Sequence, residues 1–172
     1  MLAITMIWET TRNAFKKDMR FKNTKVFYMI SFIACTFFAY IFWLYLRPVE
    51  IISVHQEENY SSVLVKNFPI TDKGQINWWQ SNKDMLKKRY NIPKPASYGG
   101  FTIIFWDYRD GYKEEGKYDR LCFNDLTPPK NCIDKNKIFT VSYSNNSGMY
   151  FITNNEKYYL KNNGKIVRDE AV

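Results

Sequence analysis

The chain has 172 residues, 45% of them hydrophobic and 18% aromatic, with a formal net charge of +8. That apolar content excludes a disordered tail, and the length leaves room for one small folded domain beside a membrane segment. The charge distribution excludes nucleic-acid binding: residues 1–25 hold six basic and two acidic side chains, while the rest of the chain is an ordinary mixed surface.

Arg12, Lys16, Lys17, Arg20, Lys22 and Lys25 form a dense basic N-terminal segment, residues 1–25, predicted to stay in the cytoplasm against anionic lipid. Residues 26–46 read VFYMISFIACTFFAYIFWLYL, without a charge, a proline or a glycine. A helix of that length spans roughly 30 Å, the hydrocarbon thickness of a bilayer, and satisfies its backbone internally. Tyr28 stands near one end and Tyr40, Trp43 and Tyr45 near the other, where amphipathic rings favour the headgroup level. Arg47 and Pro48 stop it. The pattern predicts a transmembrane helix that exports residues 47–172. The apolar run is too long for a signal peptide, and no small-residue cleavage site follows it. Phe32-Ile33-Ala34-Cys35 loosely resembles a lipobox, but apolar residues continue where a polar tether belongs.

Beyond Pro48 the period changes to two. Strands are predicted at 50–55 and 62–68, then a helix capped by Thr71 or Asp72 and running to about Tyr90. Ile76, Trp79, Leu86 and Tyr90 recur near helical spacing and should face a sheet. Asn91-Ile92-Pro93 ends the helix, because a residue before proline is pushed out of the α region. Residues 101–106 (FTIIFW) are the most apolar stretch outside the span and are expected as a central strand. Further strands are expected at 117–123, 138–143, 149–152, 157–160 and 165–167, the last four joined in pairs by Asn/Gly-rich hairpin connections. Their short links call for antiparallel pairing. The expected fold class is therefore α+β: the transmembrane helix, then a small domain with one main helix on an antiparallel meander of six to eight strands.

The sequence carries no Gly-rich phosphate loop, no nucleophile elbow and no zinc-protease motif. The lone histidine, His55, is expected at the surface or on a sheet edge. Cys122 and Cys132 are ten positions apart around a turn-rich segment, a spacing that suits a disulfide in an oxidising compartment, with two free thiols as the alternative. Together with His55 they lack metal-site spacing, and no metal or cofactor is expected. The acidic run Asp107, Asp110, Glu114, Glu115, Asp119 and Asp125 could serve glycan cleavage or calcium. Its interleaving with Arg109, Lys113, Lys117 and Arg120 favours a solvated surface with cross-strand pairs. Aromatic residues beside charge are the composition of interaction hot spots. A partner-binding surface is accordingly expected on Trp78, Tyr108, Arg109, Asp110, Tyr112, Glu114 and Glu115.

Residues 65–79 (VKNFPITDKGQINWW), 90–95 (YNIPKP), 101–107 (FTIIFWD) and 111–123 (GYKEEGKYDRLCF) together resemble a family of enterobacterial membrane proteins of unknown function. The resemblance covers most of the chain from the span onward and brings no catalytic or ligand residues with it. It implies a Gram-negative inner membrane with a periplasmic domain. The expected function is a non-enzymatic, membrane-anchored periplasmic module that binds membrane lipid and a protein partner, most concretely an immunity protein that neutralises a toxin delivered to the periplasm. The alternatives are a regulatory or structural subunit of an inner-membrane complex and a glycan-binding or glycan-cleaving envelope protein.

Overall fold

The computed structural model describes residues 24–45, 47–154, 156–161 and 163–169. Of the predicted basic cluster, Arg12, Lys16, Lys17, Arg20 and Lys22 lie outside the described residues, and Lys25 opens the first helix. The chain divides into two units, Met1–Arg47 and Pro48–Val172.

In the first unit, α1 runs Thr24–Tyr45, as the uncharged run requires. It is long and apolar enough to cross a membrane. Its large side chains, including Phe32, Phe38 and Trp43, are exposed rather than packed on protein. A soluble helix would bury such a surface, so its solvent is hydrocarbon if the helix is to be stable.

The second unit is built on a seven-stranded sheet in the order β1-β2-β3-β6-β7-β8-β9, with β4 and β5 forming a separate hairpin. The strands of the first half are β1 Glu50–Glu57, β2 Tyr60–Lys66 and β3 Phe101–Asp107. The hairpin strands are β4 Arg120–Cys122 and β5 Cys132–Asp134. The second half is β6 Lys137–Ser144, β7 Gly148–Thr153, β8 Glu156–Leu160 and β9 Ile166–Arg168. The α+β class holds, and the run from β6 to β9 is the expected meander of antiparallel neighbours.

Two expectations are corrected. The sheet is mixed, because β2 and β3 pair in parallel. Their connection contains α2, Asp72–Tyr90, and a helix is the link that lets a chain return to the same end of a sheet. The expected strand at 117–123 shrinks to Arg120–Cys122 and leaves the main sheet altogether, pairing with β5 instead.

Helix α2 begins where the sequence places it. Thr71 has extended backbone, and its side chain accepts from the Gly74 N–H at 3.2 Å. Gly74, unfavourable in a helix on propensity, is required by this cap: a Cβ there would meet Thr71 Oγ1 at 2.8 Å and Pro69 Cβ at 3.0 Å. Asn91 ends the helix in the left-handed region (φ 57), its N–H returning to the Leu86 and Lys87 carbonyls. Ile76, Trp79 and Leu86 are buried against Val63, Val65, Ile103, Phe105, Phe139, Val141 and Phe151 of the sheet. Each large side chain in this core contributes roughly 1.5–3 kcal/mol of burial. Trp78 also belongs here, half-buried in edge contact with Phe68 and Phe105. That corrects its expected place on an exposed surface.

The opposite face of β1, β2 and β3 carries a second, smaller core. Leu64, Trp106, Phe123 and Ile133 are its buried members, with Ile52, Ile104, Tyr108, Tyr112, Leu121 and Leu126 around them. Residues 108–136, with the β4–β5 hairpin at their centre, form a lobe over this face. The sheet is therefore covered on both sides at β2 and β3, which explains the unbroken apolar runs Val63–Val65 and Ile103–Trp106 within them.

Candidate functional site

The lobe is joined internally by a covalent link and by charge. Cys122 and Cys132 face each other across β4 and β5 and form a disulfide. The Lys113 N–H donates to the Cys132 carbonyl at 2.7 Å, and the Cys132 N–H returns to Lys113 at 3.0 Å, so the segment before β4 is tied to the same strand. Asp134 accepts from Arg120 Nε at 3.2 Å and from Lys113 Nζ. The Lys113 ammonium, then Arg120, hold the Asp134 carboxyl below its ordinary value. Asp134 in turn raises Lys113.

Between lobe and sheet lies a buried polar network. A bulge in β1 pairs Ile51 with Val65 and Ser53 with Leu64, leaving Ile52 as the extra residue. A one-residue slip exchanges the faces of a strand. His55 thus falls on the lobe side, opposite Ser62, whereas uninterrupted alternation from Ile51 would turn it toward α2. Its ring stacks on Phe123 with centroids 3.8 Å apart and is only 6% exposed. Nδ1 lies 2.8 Å from Asp125 Oδ2 and 2.9 Å from Oδ1; Nε2 lies 2.8 Å from the Tyr112 hydroxyl. A carboxylate only accepts, so the proton sits on Nδ1, and in the neutral imidazole Nε2 accepts from Tyr112. Of the two expected places, the sheet edge holds, since β1 is an outer strand, and the surface does not, since the ring is enclosed.

The chemistry open to this arrangement is limited. Both ring nitrogens are engaged within the protein, Nδ1 by Asp125 and Nε2 by the Tyr112 hydroxyl. Burial, opposed by hydrogen bonding at Ser53 and assisted by the charges of Tyr108 and Asp125, raises the Tyr112 pKa above 10.0. The network is suited to holding the lobe in place. Beside it a cleft of about 340 Å³ is lined by His55, Glu57, Tyr60, Leu121, Phe123 and Asp125.

Of the surface residues read from the sequence, Arg109, Asp110, Glu114 and Glu115 are exposed on the lobe. Tyr108 and Tyr112 are half-buried and touch each other edge to face, at 5.1 Å between centroids. The acidic run is spread over separate pairs: Asp107 with Arg109, Asp110 with Lys113, Asp119 with Lys135 and Asp125 with His55. Glu114 and Glu115 make no ion pair among the described residues. Among those residues, no group of three or more His, Cys, Asp or Glu is placed to hold a metal ion. Sequence reasoning missed Ser53, Phe123 and the role of His55. The one signal was a lone histidine in a predicted strand, and the bulge that turns it leaves no mark in composition.

A family model described as "Enterobacterial putative membrane protein (DUF943)" matches residues 20–170, from before α1 to the end of the sheet. The chain belongs to this family. Membership agrees with the exposed apolar surface of α1 and with an association with lipid. No curated protein and no solved structure matches the chain.

Proposed function

We propose that this member of the family is a non-enzymatic binding module anchored in the inner membrane, with α1 as its single span and residues 48–172 in the periplasm. The observation that carries the reading is the disulfide-closed lobe, which holds exposed Arg109, Asp110, Glu114 and Glu115 on a fixed scaffold. A disulfide of this kind persists in an oxidising compartment, which supports export. Basic residues before the span and few after it support a cytoplasmic N-terminus. Glutamates without an ion pair among the described residues, beside half-buried tyrosines, fit a protein partner with a basic face. In its most concrete form the partner is a toxin delivered to the periplasm, and the module is the immunity protein that blocks it.

Two measurements test this. Alkaline phosphatase fused after Val172 is expected to be active, and an inactive fusion with an active cytoplasmic reporter would overturn the topology. A photo-crosslinker at exposed Asp110 of the full chain in cells should capture one protein, and Glu114→Lys with Glu115→Lys in the same chain should abolish capture. If no protein is captured, and cells lacking the chain compete normally with neighbouring strains, the binding reading fails.

A further inference from the structure

The parallel pair β2–β3 creates a second site, away from the disulfide and independent of the reading above. Parallel strands joined through a helix end at the same edge of a sheet, and crevices outside their carboxyl ends are favoured ligand sites. Here Val65 pairs with Asp107, and the Tyr108 N–H donates to the Val65 carbonyl at 2.9 Å. The two chains then diverge, β2 through Asn67 (φ 56) toward α2 and β3 toward the lobe. The gap is a cleft of about 570 Å³ whose polar lining is Lys66, Asn67, Gln75, Asp107, Arg109 and Asn154. Phe68 and Ile138 supply apolar wall. Its size is that of a small-molecule pocket.

Three features define what it would take. Gln75 is 3% exposed; its Nε2 donates to the Pro69 carbonyl at 2.9 Å, and its Oε1 is buried with no partner among the described residues. That oxygen only accepts, so it calls for a hydroxyl or N–H. Lys66 has no ion pair among the described residues and lies over the Tyr108 ring at 5.6 Å. Arg109, mostly exposed, is 2.9 Å from Asp107. Two cations and one anion leave a single net positive charge at the cleft.

We propose that this cleft binds a small hydroxylated monoanion of the glycerol phosphodiester class. The phosphodiester oxygens accept from Lys66 and Arg109, and a glycerol hydroxyl donates to Gln75 Oε1. The same chemistry occurs in a soluble glycerophosphodiester and in the headgroup of phosphatidylglycerol.

The test uses the full chain in nanodiscs of phosphatidylcholine, titrated with glycerophosphoglycerol by calorimetry. Saturable binding is expected, weakened by about tenfold or more in Lys66→Gln/Arg109→Gln and in Gln75→Met, each with unchanged circular dichroism. Dimethyl phosphate, which lacks the hydroxyl, should bind at least about tenfold more weakly. Adding phosphatidylglycerol to the nanodiscs distinguishes the sources: a headgroup in the cleft lowers the affinity for the soluble probe in the unmodified chain but not in Gln75→Met. No saturable binding at about 10 mM probe, or binding that both variants leave unchanged, would overturn the proposal. Should Gln75→Met fail to fold, the exposed-side pair Lys66→Gln/Arg109→Gln decides alone.

Discussion

His55 and Asp125 are 70 positions apart, yet the ring Nδ1 lies 2.8 Å from the carboxylate Oδ2. The first is on the edge strand β1, the second in the loop between the disulfide cysteines, so this contact joins lobe to sheet. Asp125 is about half exposed, at 56%, whereas His55 is enclosed at 6%. The larger energetic weight therefore falls on the ring, its stacking with Phe123 and its bond to Tyr112, rather than on the charge pair.

Replacing His55 by Ala should destabilise the second unit by about 2–4 kcal/mol, since it opens a cavity under Phe123 and strips Tyr112 of its partner. Tyr112→Phe should cost about 1 kcal/mol. Asp125→Asn should cost less than that, because solvent competes for the exposed carboxylate. Urea unfolding of the full chain in micelles gives the order. Hydrogen exchange should rise in residues 108–136 first; a uniform rise would show that the network does not tether the lobe.

Removal of the disulfide by Cys122→Ser with Cys132→Ser should lower stability by about 2–3 kcal/mol, the entropy of a closed loop with a sequence separation of 10. Alkylation of thiols in intact cells followed by a mass shift assay should find these two blocked and Cys35 free. Reactive Cys122 and Cys132 in freshly lysed cells would contradict an oxidising location.

The pH dependence has two arms of opposite sign. The Asp134 carboxyl is held below 3.8 by Lys113 and Arg120, so its contribution is present above that value and is lost as pH falls through the lowered one. Tyr112 is raised above 10.0, chiefly by burial, so its contribution is present below 10 and is lost as pH rises through the raised value. The opening free energy of the lobe, obtained from exchange rates corrected for the intrinsic pH dependence of amide exchange, should fall at both extremes and stay flat between about pH 5 and 9 if these two groups govern. In an absorbance titration at high pH, Tyr112→Phe should remove a late-ionising phenol; loss of an early one instead would contradict the burial of this hydroxyl.

Gly74→Ala is an informative substitution because two rules oppose each other. Propensity alone predicts stabilisation by up to about 1 kcal/mol in a helix. Against it, the added Cβ would stand 2.8 Å from Thr71 Oγ1, so the cap must open, costing about 1 kcal/mol or more. Net destabilisation is expected in urea unfolding, and Thr71→Ala should cancel most of the difference between Gly and Ala at position 74.

Much of this protein was legible from residues alone, for local reasons. An uncharged run of helix-compatible side chains has one stable form in lipid, so α1 could be read before any contact was known. Thr71 and Pro93 bracket α2 by backbone rules that act within a few residues. The β6–β7 and β8–β9 hairpins follow from turn chemistry, and FTIIFW announced a buried strand by its near lack of polar positions. Cys122 and Cys132 were close enough in sequence to suggest their pairing.

What the tertiary structure decided are the relations between distant segments. Nothing in the separate patterns of β2 and β3 says that they run parallel; the direction depends on where α2 delivers the chain. The strand at Arg120–Cys122 left the sheet because its partner, β5, was already held beside it by the disulfide and by the Lys113 bridge. Trp78 went inside because Phe68 and Phe105 offered it a surface that one-dimensional reasoning could not supply. His55 faced the lobe because one bulged residue, Ile52, reversed the alternation of its strand. Sequence by itself determined the long apolar helix and the start and end of α2, and suggested the covalent link, because these rest on local rules. Only the folded arrangement decided which face His55 meets and where the cleft at Gln75 opens, because both depend on register across strands far apart in the chain.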